Sequence, residues 1–511
     1  MRKSIADSFS PQLEERKYWE LIQYVLRSFS RDEQRMIFSL FLFRWFNEDI
    51  LEYLRHEVCN EMKDLAAVWH ILQRLPFLEV FPERGFTFHE LYRRVVLSQL
   101  WHEEPDFYRY VAQLAAGYFL QFADDIPARV ESVYHLLIAK PSEARDAYLQ
   151  LIIDFQDNGQ FGQWHVLNQC GWEHIDSGRL DLENTALVHE STGRLLRLVG
   201  ARRESILLLE KALDIYRVLG DKGSEGGVLY SLSYDYNQEG FREKAIKGYE
   251  KAHQIFLEIG DKYYAADSLF RLGEMFEFNG ETEKACAAFR QAGELFKAID
   301  EPAREGDALF YMAETGFLPA EQALVLYHTA LPLFREGWER YSSMPPDDPR
   351  LANPLRLSRA RMRRWRLYSI AINMGDCLQA IGKLEGEAEN YYALFLEAES
   401  SYYKALDLAL QMLDLRWIIR ARLRLGDIQV LVGKLESASH FFNKALEEAL
   451  KIGHKLYAGW SYKGLGDIAF ERGDGDQARI YYLQARELYL EIKAYSNIQR
   501  QIDPKLALLD A

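Results

Sequence analysis

The sequence predicts an all-α protein: a right-handed α-solenoid of about seven helix pairs, preceded by a small domain that carries a short β-hairpin. Three observations predict it. Gly200, Gly240 and Gly280 stand forty residues apart, and Gly433 and Gly473 repeat the spacing. Seven residues before these anchors come Gly193, Ser233, Gly273, Gly426 and Gly466, and twelve residues after them Ala212, Ala252, Ala292, Ala445 and Ala485. Bulky residues complete the register: Tyr249, Phe289, Phe442 and Tyr482 nine residues after an anchor, and Leu232, Leu272, Leu425 and Leu465 just ahead of the small position. A fixed period with small residues in fixed places is what stacked units require, because each unit buries its apolar face only against its neighbours.

Composition sets the bounds. A chain of 511 residues exceeds the size at which one core usually stops growing, so a solenoid or several domains is expected. With 48% hydrophobic and 27% charged residues it is ordinary for a water-soluble chain, and a formal charge of −15 opposes nucleic-acid or anionic-membrane binding through the overall field. Cys59, Cys170, Cys286 and Cys377 lie far apart, which suits neither a disulfide framework nor a zinc site. The first twenty residues carry acids and no apolar run, unlike a secretory signal, and Ile37–Phe46 is too short for a bilayer and broken by Arg44. A cytoplasmic protein is the expectation.

Along the chain, residues 1–30 read as a helical lead-in with Tyr18, Trp19, Ile22, Val25 and Leu26 at helical spacing. Ser30 and Glu33 form a capping box ahead of an apolar helix, Asn47 caps a second helix, and a third spans roughly 64–74. Phe77–Phe81 and Gly85–Phe88 then alternate as β-prone runs around Pro82-Glu-Arg-Gly85, and a helix starts at His89. Three helices followed by a hairpin describe a winged-helix-like domain over 31–104. Its third helix and its hairpin carry few basic residues, so packing within the chain is favoured over reading DNA. Residues 105–185 read as a helical linker with a degenerate repeat, in which His135 sits on an apolar face as a packed residue.

The regular array covers 186–338 and 367–495, with a tail at 496–511. Each anchor glycine supplies the left-handed conformation that ends a first helix, and a second helix starts just after it. The pattern of Leu-Gly, bulky residue, Gly, Ala, aromatic and Ala resembles the tetratricopeptide repeat, whose unit is a helix–turn–helix of 34 residues. The register fails in three places. The unit near Leu318 loses its glycines but keeps Ala323 and Ala330; 339–366 holds a loop and an Arg-rich segment; and Gly375 and Gly382 restart the pattern, with Ala398 and Ala405 eleven residues late. The 383–393 stretch is therefore an insertion, read as a lengthened helix–helix connection.

No catalytic constellation survives inspection. Gly382-Lys383 and Gly433-Lys434 are followed by leucine and lack the upstream glycine of a phosphate loop, and His89-Glu90 is followed by Arg93 where a metalloprotease helix needs its second histidine. Gly223-Ser-Glu-Gly226 does not match a nucleophile elbow. The chain is expected to be no enzyme, with no catalytic residue, metal or cofactor.

Binding is expected on the face of the first helices. Residues three, six, nine or ten before the anchors give Tyr230, Tyr234 and Asn237, then Phe270, Arg271, Glu274 and Glu277, then Asn373, Asp376 and Gln379, then Arg424 and Asp427, and finally Lys463 and Asp467. Such a groove suits a polar peptide or a protein partner; surface ion pairs such as Arg271 with Glu274 are the plainer reading. A second candidate is the basic segment of Arg356, Arg359, Arg361, Arg363, Arg364 and Arg366, which as a cluster suits a phosphate-bearing or acidic ligand, or as a solvated helix start pairs with nearby acids.

The order of winged helix, helical region and long array resembles the C-terminal half of the signal-transduction ATPases with numerous domains. Phe77–Phe88, His89–Arg94 and Val133–Leu137 carry that likeness. It implies a non-enzymatic scaffold, adaptor or sensor in bacterial signalling or defence, without the ATPase domain of that family. The alternative is a regulator that binds nucleic acid or a phosphorylated ligand through the arginines and the winged helix.

Overall fold

The computed structural model describes residues 11–58, 65–351, 358–385, 391–492 and 494–510. The chain divides into two compact units, 1–155 with 160–191 and 156–159 with 192–511.

The first unit opens with α1 (Pro11–Leu26), α2 (Arg31–Leu42), α3 (Glu48–Val58) and α4 (Leu65–Leu72). The capping box is complete: Glu33 N donates to Ser30 Oγ at 3.3 Å and Ser30 N to the Glu33 carboxylate at 2.7 Å. Asn47 caps α3 by accepting from Ile50 N at 3.0 Å. Strands β1 (Leu78–Phe81) and β2 (Gly85–Phe88) pair antiparallel. Gly85 has φ 114°, and a Cβ there would lie 2.4 Å from the Phe46 carbonyl oxygen, so only glycine lets the hairpin meet the chain beside it. Phe88 stacks on Phe41 at 3.7 Å inside a core that includes Ile37, Leu40, Ile50, Leu54 and Val96.

Five helices follow: α5 (Glu90–Glu103), α6 (Pro105–Leu120), α7 (Ile126–Ala139), α8 (Pro141–Asp157) and α9 (Phe161–Asp176). His135 is packed, its ring 5.5 Å from Phe43 and 5.8 Å from Phe119, and burial holds it well below the usual histidine range. A buried polar cluster ties α5, α7 and α9 together. Arg93 donates to Glu173 at 2.7 Å and to the Tyr134 hydroxyl at 2.9 Å, and Tyr134 donates to Glu173 at 2.6 Å. Burial opposes ionisation of Glu173, yet Arg93 and Tyr134 hold its carboxyl down at about 2.

The array comprises seven helix pairs: α10 (Leu182–Leu198) with α11 (Arg202–Leu219), α12 (Lys222–Gln238) with α13 (Arg242–Glu258), α14 (Lys262–Phe278) with α15 (Thr282–Ala298), α16 (Pro302–Glu314) with α17 (Ala320–Ser343), α18 (Arg359–Leu384) with α19 (Tyr391–Met412), α20 (Leu415–Leu431) with α21 (Leu435–Lys451), and α22 (Lys455–Glu471) with α23 (Gly475–Glu491). Helix α24 (Tyr495–Asn497), a π-helical turn (Ile498–Ile502) and α25 (Asp503–Asp510) end the chain. Anchors such as Gly240, at φ 82°, end their first helices in the left-handed region. The small position meets the aromatic nine residues past the anchor: a Cβ on Gly273, Gly426 or Gly466 would come within 2.6 Å of the ring of Phe289, Phe442 or Tyr482. Where Ser233 replaces glycine, the partner helix yields instead, since Gly248 packs on the Ser233 side chain.

In the regular units α12, α13, α14 and α15 all have 17 residues, and the period is completed by short connections. Two expectations are corrected. Gly382 ends no helix, because α18 continues to Leu384 and the glycine serves to admit the Phe395 ring. The 383–393 insertion is not simply a connection: it lengthens α18 and α19, while 386–390 lies outside the described residues. Tyr402, eleven residues later than the regular register, then takes the aromatic place against Gly375.

Candidate functional site

The first helices of successive pairs are joined by a continuous seam of polar side chains, with one carboxylate at almost every step. Between α10 and α12, Arg197 Nε donates to Asp235 at 2.9 Å. Between α12 and α14, the Tyr230 hydroxyl donates to Asp267 and accepts from Arg271 Nε at 3.0 Å. Arg304 of α16 bonds both Asp267 and Asp307, and Asn373 of α18 donates to Asp307 at 2.6 Å. Arg424 of α20 reaches Asp376 of α18 at 2.6 Å, and Trp460 Nε1 of α22 donates to Asp427 at 3.0 Å. Lys463 closes on Asp467 at 2.6 Å, with Lys505 of α25 at 3.6 Å.

Burial and pairing compete along this seam. Burial alone would raise every carboxylate, and it prevails at Asp235, Asp307 and Asp427. At Asp267 the guanidinium groups of Arg304 and Arg271 prevail, and the acid titrates below its usual range. Glu277, at the end of α14, is pushed up to about 7 by burial and by Glu274 and Glu314, against a smaller opposing pull from Arg500.

The array also folds back on itself. Phe278 of α14 packs against the cluster of Tyr489, Ile498 and Ile502, and Arg500 donates to the Thr315 carbonyl at 3.2 Å. Among α14, α16, α18 and α20 lies a polar cavity of about 50 Å³ lined by Arg271, Glu274, Arg304, Asp307, Tyr311 and Arg420 among others, enough for on the order of three or four waters.

Of the residues selected from the sequence, Tyr230, Phe270, Asn373, Asp376 and Gln379 are buried. Tyr234, Asn237, Arg271, Glu274, Glu277, Arg424, Asp427, Lys463 and Asp467 are half-buried. Phe270 points between Phe289 and Tyr311, at 5.1 Å from each ring, and is core. In the basic segment Arg356 lies outside the described residues. Arg359 is exposed and donates to the Asp347 carbonyl at 2.9 Å, Arg363 donates to the carbonyls of Tyr341 and Ser342 at 2.7 and 2.6 Å, and Arg364 lies 3.9 Å from Asp157. Arg366 turns inward onto Tyr341 and Glu301 and stacks on Tyr263 at 4.4 Å.

Sequence reasoning missed Asp267, Arg304, Asp307, Tyr311 and Arg420. The signal was present: thirteen residues before an anchor, one helical turn beyond the stripe that was read, stand Asp267, Arg420 and Trp460. Asp307 and Tyr311 follow when the forty-residue register is carried through position 320, where no glycine marks it.

The fold is an all-α solenoid of stacked helix pairs, and part of it matches a repeat family. Residues 417–491 match the family model for a tetratricopeptide repeat, and residues 174–336 match the model for soluble NSF attachment protein. A sequence comparison with characterised proteins finds no match. Among solved structures, the chain is similar over 95% of its length to 67% of a signal-transduction ATPase with numerous domains bearing a tetratricopeptide sensor, from Pyrococcus horikoshii, at 14% identity and a TM-score of 0.41. It is similar over 60% of its length to 98% of the apo form of RapI, at 13% identity and 0.41, and over 72% to 99% of a Rap protein complexed with competence and sporulation factor, at 15% and 0.37. Among the described residues no group of His, Cys, Asp and Glu could hold a metal ion, and no helix is long and apolar enough to cross a membrane.

Proposed function

We propose that the chain is a protein-interaction scaffold that takes a peptide or protein segment along the face of its first helices, acting as an adaptor or sensor in cytoplasmic signalling. The seam carries this reading. Ionised groups held half-buried have already given up part of their hydration, and their fixed pairing presents hydrogen-bonding atoms in a set order to an incoming backbone. In this reading residues 31–104 act as a winged-helix-like module that packs within the protein.

Affinity capture from native extract, quantified by mass spectrometry, tests the proposal. Wild type should enrich at least one protein that Tyr234→Ala with Arg271→Gln fails to retain; identical captured sets would overturn it. The alternative of an anion-binding arginine segment is less favoured, because Arg363 and Arg366 spend their donors on the chain's own carbonyl, hydroxyl and carboxylate oxygens.

A further inference from the structure

The last segment of the chain does not finish the array as its register requires. Forty residues after Lys455 opens α22, Tyr495 opens what would be an eighth first helix. A regular helix there would put Leu506 at the small position held by Gly466 and Lys505 at the core position held by Leu465. What forms is a bulged helix, in which the π-helical turn between α24 and α25 shifts every later side chain around the axis. No side chain of α25 is fully buried.

This segment reaches first helices of earlier pairs. Ile498 and Ile502 bury against Tyr489 of α23 in a cluster that takes in Phe278 of α14. Arg500 donates to the Thr315 carbonyl at the end of α16 at 3.2 Å, and a Cβ on Gly316 would lie 3.6 Å from its guanidinium. Lys505 lies 3.6 Å from Asp467 of α22 and 5.4 Å over the Phe470 ring. Asp467 belongs to the proposed binding face, as does Glu277, which immediately precedes Phe278. The segment therefore covers one end of that face.

Its attachment is modest. Toward α14 and α16 it is held by Phe278 and the Arg500 bond. Along α25 it is held by exposed pairs, Arg486 with Asp503 at 3.2 Å and Arg479 with Asp510 at 2.5 Å, a kind of contact that contributes little. Its charge is complementary to the place it occupies, since Arg500 acts on Glu277 where Glu274 and Glu314 add like charge.

We propose that residues 494–510 are a removable strap, an internal ligand that gives way to a partner's helix of the same pattern: aliphatic residues at i and i+4 with a base between them. The inference rests on the peptide-binding reading above and adds what the partner must displace. Because the strap is tethered, it competes at high effective concentration, and a free segment binds only the molecules in which the strap has lifted.

The test uses the full-length chain and a fluorescent synthetic peptide of residues 494–510, read by anisotropy. Arg500→Ala in the chain should loosen the strap, so that the peptide binds about 10-fold tighter than it binds wild type. The same substitution in the peptide should weaken its binding to the loosened chain about 10-fold. One side chain then acts with opposite sign in the two places, which a merely structural role would not produce. Lys505→Ala in the chain should act in the same direction as Arg500→Ala, and it keeps the question answerable if that variant unfolds. Equal peptide affinity for wild type and both variants, or no binding to any of them, would overturn the inference. So would a wild-type dimer that Arg500→Ala converts to monomer in light scattering, because the strap would then lie on a second copy. The two readings fail separately: a protein held through Tyr234 and Arg271 equally by wild type and Arg500→Ala would sink the strap and leave the scaffold standing.

Discussion

At the scale of single residues, Glu277 makes the pH dependence of the array predictable. Burial, then Glu274 and Glu314, raise its folded pKa to about 7 while Arg500 opposes them, so the folded state holds a proton that the unfolded chain releases. Its contribution is fully present below the unfolded carboxylate range and is lost as pH rises through about 7. Glu277→Gln should therefore be more stable than wild type at pH 8 by on the order of 1–2 kcal/mol, with the gap closing toward pH 5, read by denaturant unfolding at several pH values; parallel curves would refute the assignment. The small positions give a second prediction. Gly426→Ala drives a methyl into the Phe442 ring, and should cost about 1–3 kcal/mol, partly recovered by Phe442→Leu. This glycine–aromatic contact was legible in the sequence because both partners keep a fixed distance from the anchor. The behaviour of Glu277 was not, because Glu314 and Arg500 belong to elements that only tertiary folding brings near it.

At the scale of elements, α18 shows what local composition leaves open. Six arginines in eleven residues suit either an anion site or a solvated helix start; from Arg359 on they lie in the first turns of a 26-residue helix, where Arg363 and Arg366 fasten the preceding helix end. Arg366 joins Glu301 and Tyr341 from two other elements, with Tyr263 beneath it. Arg366→Met should lower unfolding stability by roughly 2–4 kcal/mol, since Glu301 and Tyr341 lose their shared partner, whereas Arg359→Ala, on an exposed side chain, should change it by less than about 0.5 kcal/mol. Equal effects in thermal denaturation would contradict the placement. Helix identity, caps and the hairpin were readable because each depends on residues within one turn; the inward aim of Arg366 depends on Glu301, sixty-five residues away.

At the scale of the array, stability is expected to spread beyond nearest neighbours. A linear stack couples each pair only to the next, but here Phe278 and the Thr315 carbonyl are held by residues 489–502. Removing residues 495–511 should speed amide exchange at the end of α14 and around Thr315, roughly two hundred positions upstream in sequence. Loss of protection confined to α23 would mean that the return contact contributes nothing. The period foretold the stacking but not the return, because the repeat register specifies what adjoining units share and says nothing of distant ones.

The seam of shared acids has a further consequence, for how such a chain can change over evolutionary time. Asp267 serves three helices and Asp307 two, so excising one forty-residue unit, such as 241–280, would remove the acceptor of Tyr230 and strand Arg304 with half its partners. Units of this array are therefore not interchangeable beads. Duplication or loss would be tolerated only where donor and acceptor change hands together.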